Sequence, residues 1–245
     1  MVRTRGLGPN LLIALHGYGD QSVLFEQLVP ELCSDYRIVA IDLPHHGLTE
    51  WSKDSFDRTD LLDLVTLLVQ RHPHQSLSLL GFSMGARLWL SFLPECPLHV
   101  AELILLAPDG IGTRGMGLVE LFSMAARRWM VQRIRSNARL AKGLITLGRQ
   151  SWLPQNIRYF TARHFRNQQK LEMALAWWIY LSGFPVEKQL IRHWAEQSGI
   201  QIQIWLGEQD PLLQLSDVKA FWGQLSALDI RVIPGAGHVV GFYKR

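Results

Sequence analysis

An α/β architecture, with a mainly parallel β-sheet flanked by helices and split by an all-helical insertion, is predicted for this chain of 245 residues by three observations. Short apolar runs alternate with helix-period stretches through the first hundred residues. The alternation stops from about Gly110 to Ser198, where Arg, Leu and Trp dominate and no convincing strand occurs. It then returns from Gln201 onward. Strand and helix in strict alternation imply right-handed βαβ crossovers and a parallel sheet covered on both faces. The boundaries read this way are 1–109 and 199–245 for the core and 110–198 for the insertion.

Each element has a local cause. Asn10 to Leu15 is apolar without alternation and is bounded by Gly-Pro and His-Gly, as a fully buried strand should be. Ser22 to Cys33 reads as a helix and Tyr36 to Ile41 as a second strand. Asp57 to Gln70 carries Leu61, Leu64, Val65 and Leu68 at helical spacing, which lays one face on the sheet. Ser76 to Leu80 is a third strand, Met84 to Leu93 a helix stopped by Pro94, and Glu102 to Ala107 a fourth strand. Beyond the insertion come a strand at Gln201 to Leu206, a helix from about Leu215 to Leu225, and a strand at Ile230 to Ile233.

Composition removes several classes of function. Apolar residues are 48% and charged residues 19%, so a sizeable core forms and disorder is excluded. Cys33 and Cys96 make no disulfide framework, show no metal-ligand spacing, and read as buried free thiols. The apolar run Leu11 to Leu15 is too short for a secretory segment and has no small-residue cleavage site. No stretch of about 18 apolar residues occurs, so no membrane span is expected and the cytoplasm is the default address. The net charge of +4 is unevenly spread. Residues 110–200 hold 14 Lys/Arg against 4 acids, which points to an acidic partner or an anionic substrate.

Gly81-Phe82-Ser83-Met84-Gly85 fits the G-x-S-x-G nucleophile elbow, and it lies between a strand and a helix as that motif requires. A serine on so tight a turn projects its hydroxyl into a cleft and tolerates only small neighbours. The hydroxyl becomes a useful nucleophile only when a base accepts its proton and an acid orients that base. On such an elbow the partners follow in the order Ser, acid, His. Of the downstream histidines, His99 precedes a strand, and His164 and His193 lie in the insertion. His238 follows the last strand in a Pro-Gly-Ala-Gly turn, which makes it the candidate base. Asp210, in Gly-Glu-Gln-Asp-Pro past a buried strand, is the candidate acid; Asp109 is its rival and Glu208 a third. Donors for an oxyanion come from the amide of Met84 and from the loop His16-Gly17-Tyr18-Gly19. There the Tyr18 amide is preferred to that of Gly17, and His16 reads as a brace for the loop.

With HGYGD, DLPHHG, GFSMGA, GEQD and PGAGH in this order, the chain resembles the α/β-hydrolase family along its whole length. The resemblance implies a serine hydrolase, with the insertion as a cap or lid. Two departures stand out. His45 occupies a position where relatives usually have Gly. The chain also begins at the oxyanion-loop strand and stops seven residues after His238, so the leading antiparallel strands and most of a final helix are expected to be absent or much reduced.

A serine nucleophile leaves esterases, thioesterases, lipases, amidases and a few lyases. Arg87 has two readings. It resembles the arginine of the Ser-x-Gly-Gly-Arg motif in the menaquinone-pathway enzyme that eliminates pyruvate, or it pairs with a core carboxylate. Trp177 and Trp178 line an acyl pocket or pack the insertion's own core. The basic insertion is a solvated face, or it meets an acidic acyl-carrier protein, an anionic lipid surface or a carboxylate-bearing substrate. The first of these partners follows from a resemblance in type to the carrier-protein methyl ester esterase of biotin synthesis. Nucleic acid is not expected, and no metal or organic cofactor is implied. The leading expectation is cleavage of a small ester or thioester through an acyl-enzyme on Ser83. A triad-dependent lyase and a non-catalytic binding protein are the competing readings.

Overall fold

A computed structural model describes residues 1–27, 32–112, 123–148, 150–153, 158, 161–162, 164–223 and 225–238. Seven strands form one sheet: β1 (Val2–Arg5), β2 (Asn10–Leu15), β3 (Tyr36–Ile41), β4 (Leu77–Phe82), β5 (Glu102–Leu106), β6 (Gln201–Gly207) and β7 (Leu228–Ile233). Their order is β1-β3-β2-β4-β5-β6-β7. All neighbours run parallel except β1, which pairs antiparallel with β3 from Val2↔Ile41 to Arg5↔Ile38.

The leading antiparallel strands, expected to be absent or much reduced, are represented by this one short edge strand. Its four residues, Val-Arg-Thr-Arg, are mostly exposed, and a charged edge shows no apolar pattern to read. The helix expected from Ser22 to Cys33 is described only in part, and its first six residues are 3₁₀ in kind. Ser22–Gln27 forms a 3₁₀ turn that buries only Ser22 and Phe25, and residues 28–31 lie outside the described residues. Cys33 and Cys96 are free thiols but half-buried.

The apolar runs are buried on both faces. Leu11, Leu12, Ile13, Ala14 and Leu15 are wholly inaccessible, which is why they do not alternate. One face of the sheet packs Leu12, Ala14, Ile38, Ala40, Leu80, Phe82, Ile104 and Leu106 into a single cluster. Helix α1 (Arg58–Arg71) starts at Asp57, whose carboxylate accepts the Thr59 and Asp60 N–H groups, and it buries Leu61, Val65 and Leu68. Helix α2 (Met84–Phe92) is buried at every residue, and the Trp89 indole donates to the Leu80 carbonyl at 2.9 Å.

The chain divides into two compact units, residues 1–112 with 184–245 and residues 113–183. The second holds α3 (Met124–Arg135), α4 (Ala138–Leu147) and α5 (Gln168–Tyr180) around Val131, Ala141, Leu171 and Leu175. Ser123, Asn137 and Asn167 each cap the helix that follows through a side-chain oxygen. This unit is shorter than the span 110–198 read from the sequence. Helix α6 (Lys188–Ser198) belongs to the first unit, where it buries Ile191 and Ala195, packs near the turn after α2, and feeds β6 through Gly199 in a left-handed turn. Helix α7 (Leu215–Trp222) completes the described core. Among the described residues no helix is long and apolar enough to cross a membrane. The final helix expected to be reduced falls on residues 239–245, outside the described residues.

Candidate active site

Strand order reverses at β2, which lies between β3 and β4. Ligand sites in open parallel sheets gather at such a switch point, beyond the carboxyl ends of the strands. Register carries the end of each strand to that edge: Leu15 pairs with Gly81, Phe82 with Leu106, Leu106 with Trp205, and Gly207 with Ile233. The segments just past those residues hold His16, Ser83, Asp109, Asp210 and His238.

Ser83 joins β4 to α2 with φ 49° and ψ −110°, in left-handed territory that a side chain rarely adopts. Two backbone bonds, one to the end of β5 and one from the loop after it, hold it there. Its N–H donates to the Leu106 carbonyl at 2.9 Å, and its carbonyl accepts the Asp109 N–H at 3.1 Å. The flanking glycines are sterically required. A Cβ on Gly85 would stand 2.1 Å from the Leu15 carbonyl oxygen, and one on Gly81 would stand 2.5 Å from the Ala86 backbone. The elbow motif is thus a packing demand as well as a pattern.

Ser83 Oγ lies 2.9 Å from His238 Nε2, and His238 Nδ1 lies 2.8 Å from Asp210 Oδ2. The Asp210 side chain is fully buried, and its other oxygen accepts the Leu212 and Leu213 N–H groups at 2.8 and 3.2 Å. A carboxylate fixed in this way accepts the Nδ1 proton and leaves the Nε2 lone pair facing the serine. The rival carboxylate is engaged elsewhere: Asp109 Oδ2 lies 3.7 Å from Arg87 Nη1. Glu208 accepts the Gly235 N–H in the turn that carries His238.

Arg87 is buried, and its Nε donates to the Phe184 carbonyl at 3.1 Å. Asp109 precedes the inserted unit and Phe184 follows it. One side chain on the elbow helix therefore ties together the two chain segments that leave for, and return from, residues 113–183. Trp177 is buried edge-on to Tyr180, and Trp178 packs against the core of the inserted unit.

Met84 is the first residue of α2, so its N–H has no preceding turn to bond. The loop bearing Tyr18 is braced by two buried histidines. His16 Nδ1 donates to the Gly17 carbonyl at 2.7 Å, and its Nε2 accepts the Leu43 N–H at 3.0 Å. Burial outweighs the raising effect of the Gly17 bond and of Asp42, and holds His16 down to about 4, so the ring is neutral at pH 7. His46, which the sequence reading passed over, accepts the Gly19 N–H at 2.9 Å and donates to the Pro44 carbonyl. Its ring stands 4.8 Å from that of His16 and 5.8 Å from that of Tyr18. The neighbouring His45 is exposed at φ 61°, a backbone conformation that favours glycine. Burial alone would raise the Asp42 carboxyl, yet hydrogen bonds from Ser22 and Leu48 keep it below the usual carboxylate range. Among the described residues, no group of three or more His, Cys, Asp or Glu could hold a metal ion.

Comparison with known proteins places this geometry. A probable serine hydrolase of Drosophila melanogaster is 34% identical over 107 residues, covering 42% of this chain and 32% of that protein. The pimeloyl-[acyl-carrier protein] methyl ester esterase of Pectobacterium atrosepticum is 25% identical over 164 residues, covering 58% of this chain and 62% of that protein. The matched stretches span less than two thirds of these relatives. A thermophilic esterase from Thermogutta terrifontis superimposes with a TM-score of 0.69 at 18% identity, over 99% of this chain and 87% of that structure, a likeness of fold. The model of the alpha/beta hydrolase family matches residues 12–243, nearly the whole chain, and the chain belongs to that family.

Proposed function

We propose that the protein is a serine hydrolase that cleaves a carboxylic ester or thioester through an acyl-enzyme on Ser83. The observation that carries this reading is the hydrogen-bonded series from Ser83 Oγ through His238 to Asp210, mounted on a strained elbow at the sheet's switch point. The ester-cleaving and serine-hydrolase names of the relatives support it.

In this reading Ser83 Oγ attacks the carbonyl carbon while His238 Nε2 takes the hydroxyl proton. The imidazolium so formed is stabilised by Asp210, which keeps its negative charge. The Met84 and Tyr18 N–H groups receive the oxyanion, each worth about 3–4 kcal/mol by analogy with donors removed elsewhere. His238 then protonates the departing alcohol or thiol. A water oxygen then attacks the acyl carbon as the same nitrogen takes its proton, and His238 returns that proton to Ser83 Oγ as the bond from Ser83 to the acyl carbon breaks and the acid leaves. The His16 and His46 braces hold the oxyanion loop in place before substrate arrives, so little reorganisation is needed in the transition state. The contacts of Arg87 with Asp109 and the Phe184 carbonyl support its reading as a helix arginine paired with a carboxylate.

A fluorophosphonate probe should label the wild-type protein at Ser83 and leave Ser83→Ala unlabelled. Ester turnover in that variant should fall by about 10⁴-fold or more. Labelling that survives in Ser83→Ala, or turnover that survives with it, would sink the proposal.

A further inference from the structure

The unit 113–183 carries twelve Lys/Arg and two acidic residues, a net +10 on 71 residues of a chain whose total is +4. Its outer surface also shows large apolar side chains, with Trp129 62%, Leu140 46%, Leu147 45% and Trp152 69% exposed. Helix α4 organises part of this surface. At 100° per residue, Leu140, Gly143 and Leu147 form one stripe, and Arg139, Lys142 and Thr146 form the stripe beside it. Ala141 is buried on the far side, against the unit's own core.

An open cleft of about 620 Å³ runs along that face, bordered by Arg139, Lys142, Leu147 and Trp152. Gly143 forms its floor: a Cβ built there would meet nothing within 4 Å. Glycine inside a helix is destabilising relative to alanine. Here no packing demand requires it, and the open floor is what it provides. Among the described residues, Arg139 and Lys142 form no salt bridge, so their charge is directed outward.

We propose that this face of the inserted unit, centred on α4 and Trp152, docks on an anionic lipid bilayer. An acidic protein could satisfy the cations. A bilayer interface satisfies both stripes at once, because indole rings and leucines settle among the acyl chains while Arg and Lys reach the headgroup charge. The two halves of the face are adjacent on one helix, as surface-bound helices require. The proposal does not depend on the hydrolase reading, and its test involves no substrate.

The test is flotation of the full chain with vesicles of phosphatidylcholine alone, or of phosphatidylcholine with about one third phosphatidylglycerol. Binding is expected only with the anionic vesicles and should be lost at high salt, where the Debye length shrinks to about 3 Å. The double variant Arg139→Gln/Lys142→Gln should bind about 30-fold more weakly, roughly fivefold per cation. Trp152→Ser should weaken binding about tenfold. Circular dichroism confirms that these exposed substitutions leave the fold intact. The control Lys188→Gln/Lys219→Gln removes two exposed cations of the other unit and should change binding less than about twofold. Four outcomes would overturn the proposal: equal binding to neutral vesicles, no vesicle binding, equal weakening by the control pair, or capture of a purified acidic carrier protein through Arg139 and Lys142 in the absence of vesicle binding.

Discussion

Residues 1–112 with 184–245 hold thirteen basic and nineteen acidic side chains, whereas residues 113–183 hold twelve and two. The contrast extends to how each unit uses its residues. In the first, polar groups are buried and spoken for: His16, Asp42, His46, Arg87 and Asp210 each have named partners inside the fold. Its glycines at 17, 81 and 85 each face an atom that a Cβ would strike, at 2.1 to 2.7 Å. In the second unit the helices enclose a modest core and Trp177 is buried, while Trp129, Trp152, Arg139 and Lys142 are exposed and a Cβ on Gly143 would meet nothing within 4 Å. The lesson is that one unit is shaped inward, around a single serine, and the other is shaped by what its surface meets.

The sharpest way to break this comparison is to exchange the two candidate acids. Asp210→Asn should lower kcat on a p-nitrophenyl ester by about 10⁴-fold, because His238 would be held in the wrong tautomer. Asp109→Asn should change kcat by less than about threefold while lowering Tm, since it loosens Arg87 rather than His238. A reversed pattern would reassign the acid.

A pair of glycines gives the next effect. Gly85→Ala should lose at least about 3 kcal/mol in urea unfolding, because the new Cβ has no space against the Leu15 carbonyl. Gly143→Ala should gain about 0.5–1 kcal/mol. If both variants lose stability, the inserted unit is packed as tightly as the core and the contrast fails.

His16 provides a comparable effect through pH. Its ring is held to about 4 in the folded chain, against an ordinary value near 6.5. The unfolded chain therefore binds the extra proton first, and folding stability falls as pH drops from about 6.5 to about 4. The contribution is about 3 kcal/mol, complete above that window and absent below it. Urea titrations across this range should show that slope in the wild type and a shallower one in His16→Gln. An unchanged slope in the variant would place the pH dependence elsewhere.

Most of this fold could be read in the sequence, because burial on both faces leaves unbroken apolar runs such as Leu11 to Leu15. The edge strand Val2–Arg5 could not, since an exposed strand carries charge where the pattern would be. The elbow, the His238 turn and the Asp210 loop were also legible, being small, glycine-rich and placed after strands. The preference for Asp210 over Asp109 rested on local pattern alone, because both follow a core strand; in space Asp210 meets His238 whereas Asp109 faces Arg87. His46 was hidden for a similar reason. Its role is to hold a backbone amide 27 residues away, and no local spacing records such a contact.

The account's central claim, a covalent acyl intermediate on Ser83, is tested most directly by intact-mass and peptide analysis of protein quenched during turnover of a slow p-nitrophenyl ester. The predicted result is one acyl adduct per chain, located on the peptide containing Ser83 and absent in Ser83→Ala. Continued turnover with no adduct on that peptide would contradict the claim and return the triad to a purely acid–base role.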